Sequence, residues 1–132
     1  VIFVDTGAWF AVAVVSDKNH TVARQWMLDN TEVLVTSDDV VSETLTLLRA
    51  RGESAMAVRV GEDFFAGEIA RIAVVTEEDF QNAWEVFRDF KDKGWSFTDC
   101  TSKVLMERLG IKTAFAFDQH FRQFGSVEVV PG

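Results

Sequence analysis

The chain holds one cysteine, Cys100, among 132 residues. A single thiol excludes an intramolecular disulfide framework and fits a reducing cytosol. It holds one proline, Pro131, so no proline-rich linker divides it. Nothing repeats, and no stretch is low in complexity. No apolar run approaches the roughly 20 residues that span a bilayer. Val1 to Asp5 carries no basic n-region and does not read as a signal peptide. A cytoplasmic location is therefore expected. The two histidines, His20 and His120, lack a Cys or His partner at zinc-ligand spacing. His20 is expected to start a surface helix, and His120, close to Asp118, is a candidate substrate contact. No phosphate-binding Walker loop, dinucleotide fingerprint or nucleophile elbow is present.

Positive charge is also in short supply. Thirteen Lys and Arg face 21 Asp and Glu, for a net charge of −8. That argues against broad adhesion to nucleic acid through a basic surface. It leaves room for acids gathered at a metal site, which lower the total without touching a substrate-binding rim. Arg49, Arg51 and Arg59 fall close together and read as the solvated side of a helical hairpin.

What the chain does have is apolar content, 48% of its residues. That supplies the core of one ordered domain spanning residues 1–132. Val1 to Val4 is a continuous apolar run, the pattern of a strand buried on both faces. Gly7 to Val15 reads as an apolar helix, and Asn19 to Leu28 as a second helix with Val22, Trp26 and Ala23 inward. Glu32 to Val35 is the next strand. Asp38 or Asp39 then caps a helix carrying Val40, Val41, Thr44, Leu45, Leu47 and Leu48. Gly52 breaks it, and Ser54 to Phe65 continues as a helix.

Arg71 to Val75 is a strand. Thr76 and Asp79 pair as a cap for a helix through Phe90, and Ser96 to Leu109 is a helix with its own cap signal. Thr113 to Phe117, a short helix Asp118 to Phe124 and a strand Val127 to Val130 complete the series. Short buried strands alternating with helices predict a three-layer α/β/α fold around a central parallel sheet. Such sheets bind ligands beyond the carboxyl ends of their strands.

Four acids fall at those ends or in the first turns of helices: Asp5, Glu43, Asp99 and Asp118. Each also has an ordinary reading. Asp5 can cap the helix that follows. Glu43 lies at the rim of an apolar stripe, between Val40 and Leu47, where it can simply be solvated. It is not a capping-box glutamate, because Val40 stands three residues before it. Asp99 sits in a first helical turn, where the macrodipole favours an acid and Ser96 can complete a cap. Asp118 repeats the logic of Asp5. Together, converging carboxylates repel and are tolerated where a cation, a proton or a basic group neutralises them. The quartet therefore points to metal-dependent hydrolysis.

Other readings of the motifs fail. Asp5-Thr6-Gly7 matches the aspartic-protease triplet, but those enzymes need two such aspartates on an all-β scaffold. A dehalogenase-type phosphatase wants an Asp two residues after Asp5, where Gly7 stands. A response-regulator receiver wants an early acid pair that is missing.

The ordered set does resemble one family. Val4-Asp5-Thr6-Gly7 with Trp9, Thr36-Ser37-Asp38 leading to Glu43-Thr44-Leu45, Ser96-Phe97-Thr98-Asp99-Cys100 with Ser102, and Ala116-Phe117-Asp118-Gln119-His120-Phe121 are similar to PIN-domain ribonucleases. Specifically, the chain resembles the toxin of VapBC-type toxin–antitoxin pairs, and the likeness covers essentially the whole chain. The resemblance implies a parallel sheet of about five strands. It also implies an acidic pocket for Mg²⁺ or Mn²⁺ made by Asp5, Glu43, Asp99 and Asp118, with Thr6 or Thr98 as a supporting polar residue. It implies an endoribonuclease acting through activated water, a small homodimer, and an antitoxin protein that holds it inactive. The alternative is a non-catalytic relative that binds a protein or RNA partner through the same pocket.

The helical hairpin Glu43 to Phe65 carries Val58, Val60, Phe64 and Phe65, more apolar residues than one core face needs. It is expected to take an amphipathic antitoxin helix.

Overall fold

The computed structural model describes residues 1–132. Its strands are β1 (Ile2–Val4), β2 (Leu34–Ser37), β3 (Arg71–Ala73), β4 (Thr113–Phe115) and β5 (Glu128–Val130). Its helices are α1 (Thr6–Ala13), α2 (His20–Asp29), α3 (Asp38–Ala50), α4 (Ser54–Phe65), α5 (Glu77–Asp89) and α6 (Phe97–Leu109). A 3₁₀ helix covers Gln119–Phe124.

The five strands form one all-parallel sheet in the order β3-β2-β1-β4-β5. Every residue of β1 and β2 is buried. Successive strand residues point to opposite faces, so both faces are covered, as continuous apolar strands predict. The chain leaves β1 toward β2 and later returns to β4 on its other side. That reversal makes the carboxyl ends of β1 and β4 the crevice where a parallel sheet binds ligand.

The core gathers around these central strands. Phe3 and Phe115 are fully buried, and Trp26 of α2 lies 4.1 Å from the Phe115 ring. Trp9 of α1 meets Phe64 of α4 edge-on at 5.0 Å. Its Nε1 donates to the Thr36 hydroxyl, which donates in turn to the Val4 carbonyl. One indole thus ties α1 to both β1 and β2 beneath the crevice.

Several local expectations shift. Val22 is exposed at 53%, and Ala23 is the buried residue of α2. Ser37, not Asp38 or Asp39, caps α3 by accepting from the Val40 amide. Asp38 instead accepts from the Val75 amide, joining this corner to the end of β3. The helix after Asp118 is 3₁₀ and begins at Gln119. Gly52 and Gly110 lie at positive φ, which glycine adopts without strain, and stop α3 and α6.

Phe64 is 1% exposed and belongs to the core, so it cannot face an antitoxin. On that helix Phe65 and Val58 are the exposed apolar residues, at 77% and 52%.

Candidate active site

Asp5 follows β1 directly. Its amide donates to the Phe115 carbonyl at the end of β4, which seats it between the two central strands. It holds the N-cap position of α1, yet its side chain makes no capping hydrogen bond. The structural explanation open to it in the sequence is therefore removed. The carboxyl is 5% exposed. Burial first, and Asp99 next, push its pKa from 3.8 up to about 7; Glu43 and Asp118 add to the rise, and the Thr6 amide opposes it. Asp5 therefore feels all three other acids, which the topology has brought to one crevice.

Asp99 is also buried, on the first turn of α6. Both readings of this residue hold at once. Its Oδ2 accepts from the Ser96 amide, and its own amide donates to Ser96 Oγ, completing a capping box. The same Oδ2 lies 2.8 Å from His120 Nδ1. Asp118 is exposed and caps the 3₁₀ helix, its Oδ1 accepting from the His120 amide. That Oδ1 is 3.3 Å from His120 Nδ1. Glu43 is half-buried on α3 and keeps its side chain free of hydrogen-bond partners.

The N-terminus of α6 is anchored from behind. Trp95 is buried, stacks on Phe90 and meets Phe124 edge-on. Its Nε1 donates to Gln123 Oε1, linking the Asp99 turn to the 3₁₀ helix. Farther along, Arg108 grips buried Asp79 with a bidentate pair at 2.8 Å and holds that carboxyl below its ordinary range. This clamp fixes α6 against α5.

Three buried hydroxyls have no hydrogen-bond partner: Thr6 Oγ1, Thr44 Oγ1 and Ser102 Oγ. Each adjoins an acid, Thr6 beside Asp5, Thr44 beside Glu43 and Ser102 one turn beyond Asp99. Thr98 offers its carbonyl to the Thr101 hydroxyl, and no hydrogen bond ties its side chain to the acids. Of the two polar residues expected to support the site, Thr6 is the one with a free buried donor. Thr44 and Ser102 belong to the family motif, but nothing in the sequence marks them as unpaired, because a hydroxyl in a helix carries no local sign of it.

The residues fit a hard divalent cation. All four acids offer oxygen, which suits Mg²⁺ or Mn²⁺ over softer ions. A buried carboxyl whose charge its neighbours disfavour is one that a cation stabilises. As the side chains stand, however, no three His, Cys, Asp or Glu residues are grouped closely enough to hold an ion. His120 already engages two of the acids. Cys100, beside Asp99, is fully buried, and its thiol is pushed up to about 11 by burial and by that acid. It supplies no thiolate nucleophile at neutral pH. A concavity of about 560 Å³ lies between α5 and α6 around Asp79 and Arg108, and none of the four acids lines it. Its close charge pair, Asp79 with Arg108, serves as a structural clamp.

Comparison with known proteins shows the family and the fold. The PIN domain family model matches residues 2–127. The chain belongs to the PIN-domain family. Among related PIN proteins, the 23S rRNA-specific endonuclease VapC20 of Mycobacterium tuberculosis is 35% identical over 98% of both chains. A VapC ribonuclease of Archaeoglobus fulgidus is 28% identical over 89% of this chain and 77% of its own. The crystal structure of M. tuberculosis VapC20, described as a sarcin-ricin loop cleaving toxin, superposes with a TM-score of 0.91 at 34% identity, covering 98% of each chain. The five-stranded parallel PIN fold inferred from the sequence is thus shared with a solved VapC toxin.

Proposed function

We propose that this PIN domain is a metal-dependent endoribonuclease and the toxin of a toxin–antitoxin pair. The observation that carries the reading is Asp5: a buried carboxyl without a capping role, raised to about 7 by burial and by three converging acids. A fold retains such a group where its charge is used. The VapC names of its relatives supply the substrate class, RNA, and make 23S rRNA the first molecule to test.

Asp5 and Asp99 would be the principal ligands for Mg²⁺ or Mn²⁺. Glu43 and Asp118 would complete the set or orient the attacking water, and the Thr6 hydroxyl would support that arrangement. When bound, the cation screens the scissile phosphate and acidifies water. The chain's own part is to hold the acids in a crevice that excludes bulk water on the Asp5 side, and to leave Glu43 and Asp118 accessible. No side-chain nucleophile is needed. Hydrolysis by water is expected to leave a 5′-phosphate and a 3′-hydroxyl.

We place the antitoxin over the exposed apolar residues of α4, Val58 and Phe65, with a basic side chain extended toward the acids. The exposed aromatic row Phe80, Trp84 and Phe87 on α5 supports a homodimer, since monomers rarely leave such a stripe bare. No helix is long and apolar enough to cross a membrane, and a cytoplasmic location suits the single buried thiol.

The test is cleavage of 23S rRNA by purified protein. Activity is expected to vanish in excess chelator, return with Mg²⁺ or Mn²⁺, and map to 5′-phosphate ends. Undiminished cleavage in chelator would overturn the metal mechanism. RNA binding without cleavage in either ion would favour the non-catalytic alternative.

A further inference from the structure

His120 sits where two chain segments meet. The 3₁₀ helix that bears it is anchored by Phe121 and Phe124, both buried, with Phe121 stacked on Phe3 of β1. The backbone at this point is therefore held by the core. The imidazole leans outward over the acids, about a quarter exposed. Its Nδ1 reaches Asp99 Oδ2 at 2.8 Å and Asp118 Oδ1 at 3.3 Å. An ionised carboxylate only accepts hydrogen bonds, so Nδ1 donates to Asp99 Oδ2, and the same N–H end of the ring lies against Asp118 Oδ1 as a close polar contact.

The oxygens that are used matter as much as the contact. On Asp99, Oδ2 takes both the Ser96 amide and the imidazole, and Oδ1 takes nothing. On Asp118, Oδ1 takes both the His120 amide and the ring, and Oδ2 takes nothing. Each acid is thus gripped by one oxygen and left with the other free. That is how a carboxylate is prepared as a ligand: one oxygen fixes its orientation and the other remains for the ion.

Resting on the metal reading above, we propose that His120 is a positioning residue. It clamps Asp99 of α6 and Asp118 of the β4 loop into one orientation, so that their free oxygens are presented to the cation together. The four acids come from four separate segments, and the repulsion evident at Asp5 tends to drive them apart. A ring nitrogen that donates to Asp99 and lies against Asp118 opposes that tendency without contributing a ligand atom itself. His120 then acts on the cation only through Asp99 and Asp118.

Calorimetric titration of the full chain with Mn²⁺ tests this without reference to cleavage. His120→Ala is expected to bind Mn²⁺ on the order of tenfold more weakly, as loss of an outer-shell partner generally does. His120→Asn restores a donor near the Nδ1 position and is expected to recover most of the affinity. A melt of each metal-free variant checks that both remain folded. Recovery by asparagine is the result that a purely structural role for the ring does not produce. Unchanged or tighter Mn²⁺ binding by His120→Ala would overturn the proposal, tighter binding marking the ring as a competitor for the acids. Equal weakening in both variants would overturn it too. Failure of the unaltered protein to bind Mn²⁺ would overturn the metal reading itself and this inference with it, an outcome distinct from the others.

Discussion

Replacing Asp5 with asparagine keeps the shape of the side chain and removes its charge. The consequence follows from the raised carboxyl. Asp5 has an ordinary value of 3.8 when unfolded and about 7 in the fold. The native state therefore binds the proton more tightly than the unfolded chain, and metal-free stability falls as pH rises through that window. Each tenfold difference in proton affinity is worth about 1.4 kcal/mol. The rise from 3.8 to about 7 thus corresponds to a loss of at most about 4 kcal/mol between pH ~4 and pH ~7. Asparagine removes that loss. At pH 8, in chelator, Asp5→Asn is expected to melt higher than the parent by up to about 12 °C, taking roughly 3 °C per kcal/mol for a chain of this size. At pH 4 the two should nearly coincide. A saturating divalent ion should stabilise the parent at pH 8 and leave the variant almost unmoved, because the ligand is gone. Thermal melts of both proteins across pH 4 to 8, with and without ion, make the comparison. A variant no more stable than the parent at pH 8, with an unchanged pH slope, would refute the argument that Asp5 is held ionised against burial and the neighbouring acids.

Asp99→Asn is expected to abolish cleavage while shifting the metal-free melt little. Relief of repulsion is offset there by a weakened contact to His120, and the amide oxygen can still accept from Ser96; a loss above about 2 kcal/mol would mark Asp99 as chiefly a helix cap. Phe65→Glu should fold normally and weaken antitoxin binding in calorimetry. Phe64→Glu buries a charge against Trp9 and should fail to fold, so unchanged affinity in Phe65→Glu places the partner surface elsewhere. Trp84→Glu should shift the protein from dimer to monomer in light scattering without lowering its melt by more than about 1 kcal/mol; a persistent dimer would move that interface off α5.

The sequence by itself determined the features written in neighbouring residues. Apolar runs too short and too continuous for amphipathic strands demanded a parallel sheet buried on both faces. The Thr76–Asp79 and Ser96–Asp99 spacings announced capping boxes, and both are present. The strand-end placement of Asp5 and Asp118 located the crevice, since topology alone gathers carboxyl ends at one edge. These signals are local, so no knowledge of the packing was needed to read them.

The tertiary structure decided which of several local options each residue takes. Asp5 and Asp99 look alike in sequence, both acids at helix starts, yet one makes no capping bond and the other completes a box. The difference is set by what surrounds the carboxyl, and for Asp5 that includes Glu43, 38 positions away. Val22 and Phe64 each had a plausible place on an apolar stripe, and only the positions of α1 and the sheet put one outside and the other in the core. His120 reaches Asp99 across 21 residues because Trp95 and Phe124 pack their two segments together. Hydrogen bonds and charge coupling act over a few ångströms in space, whatever the separation along the chain, so these partnerships exist only once the sheet has closed.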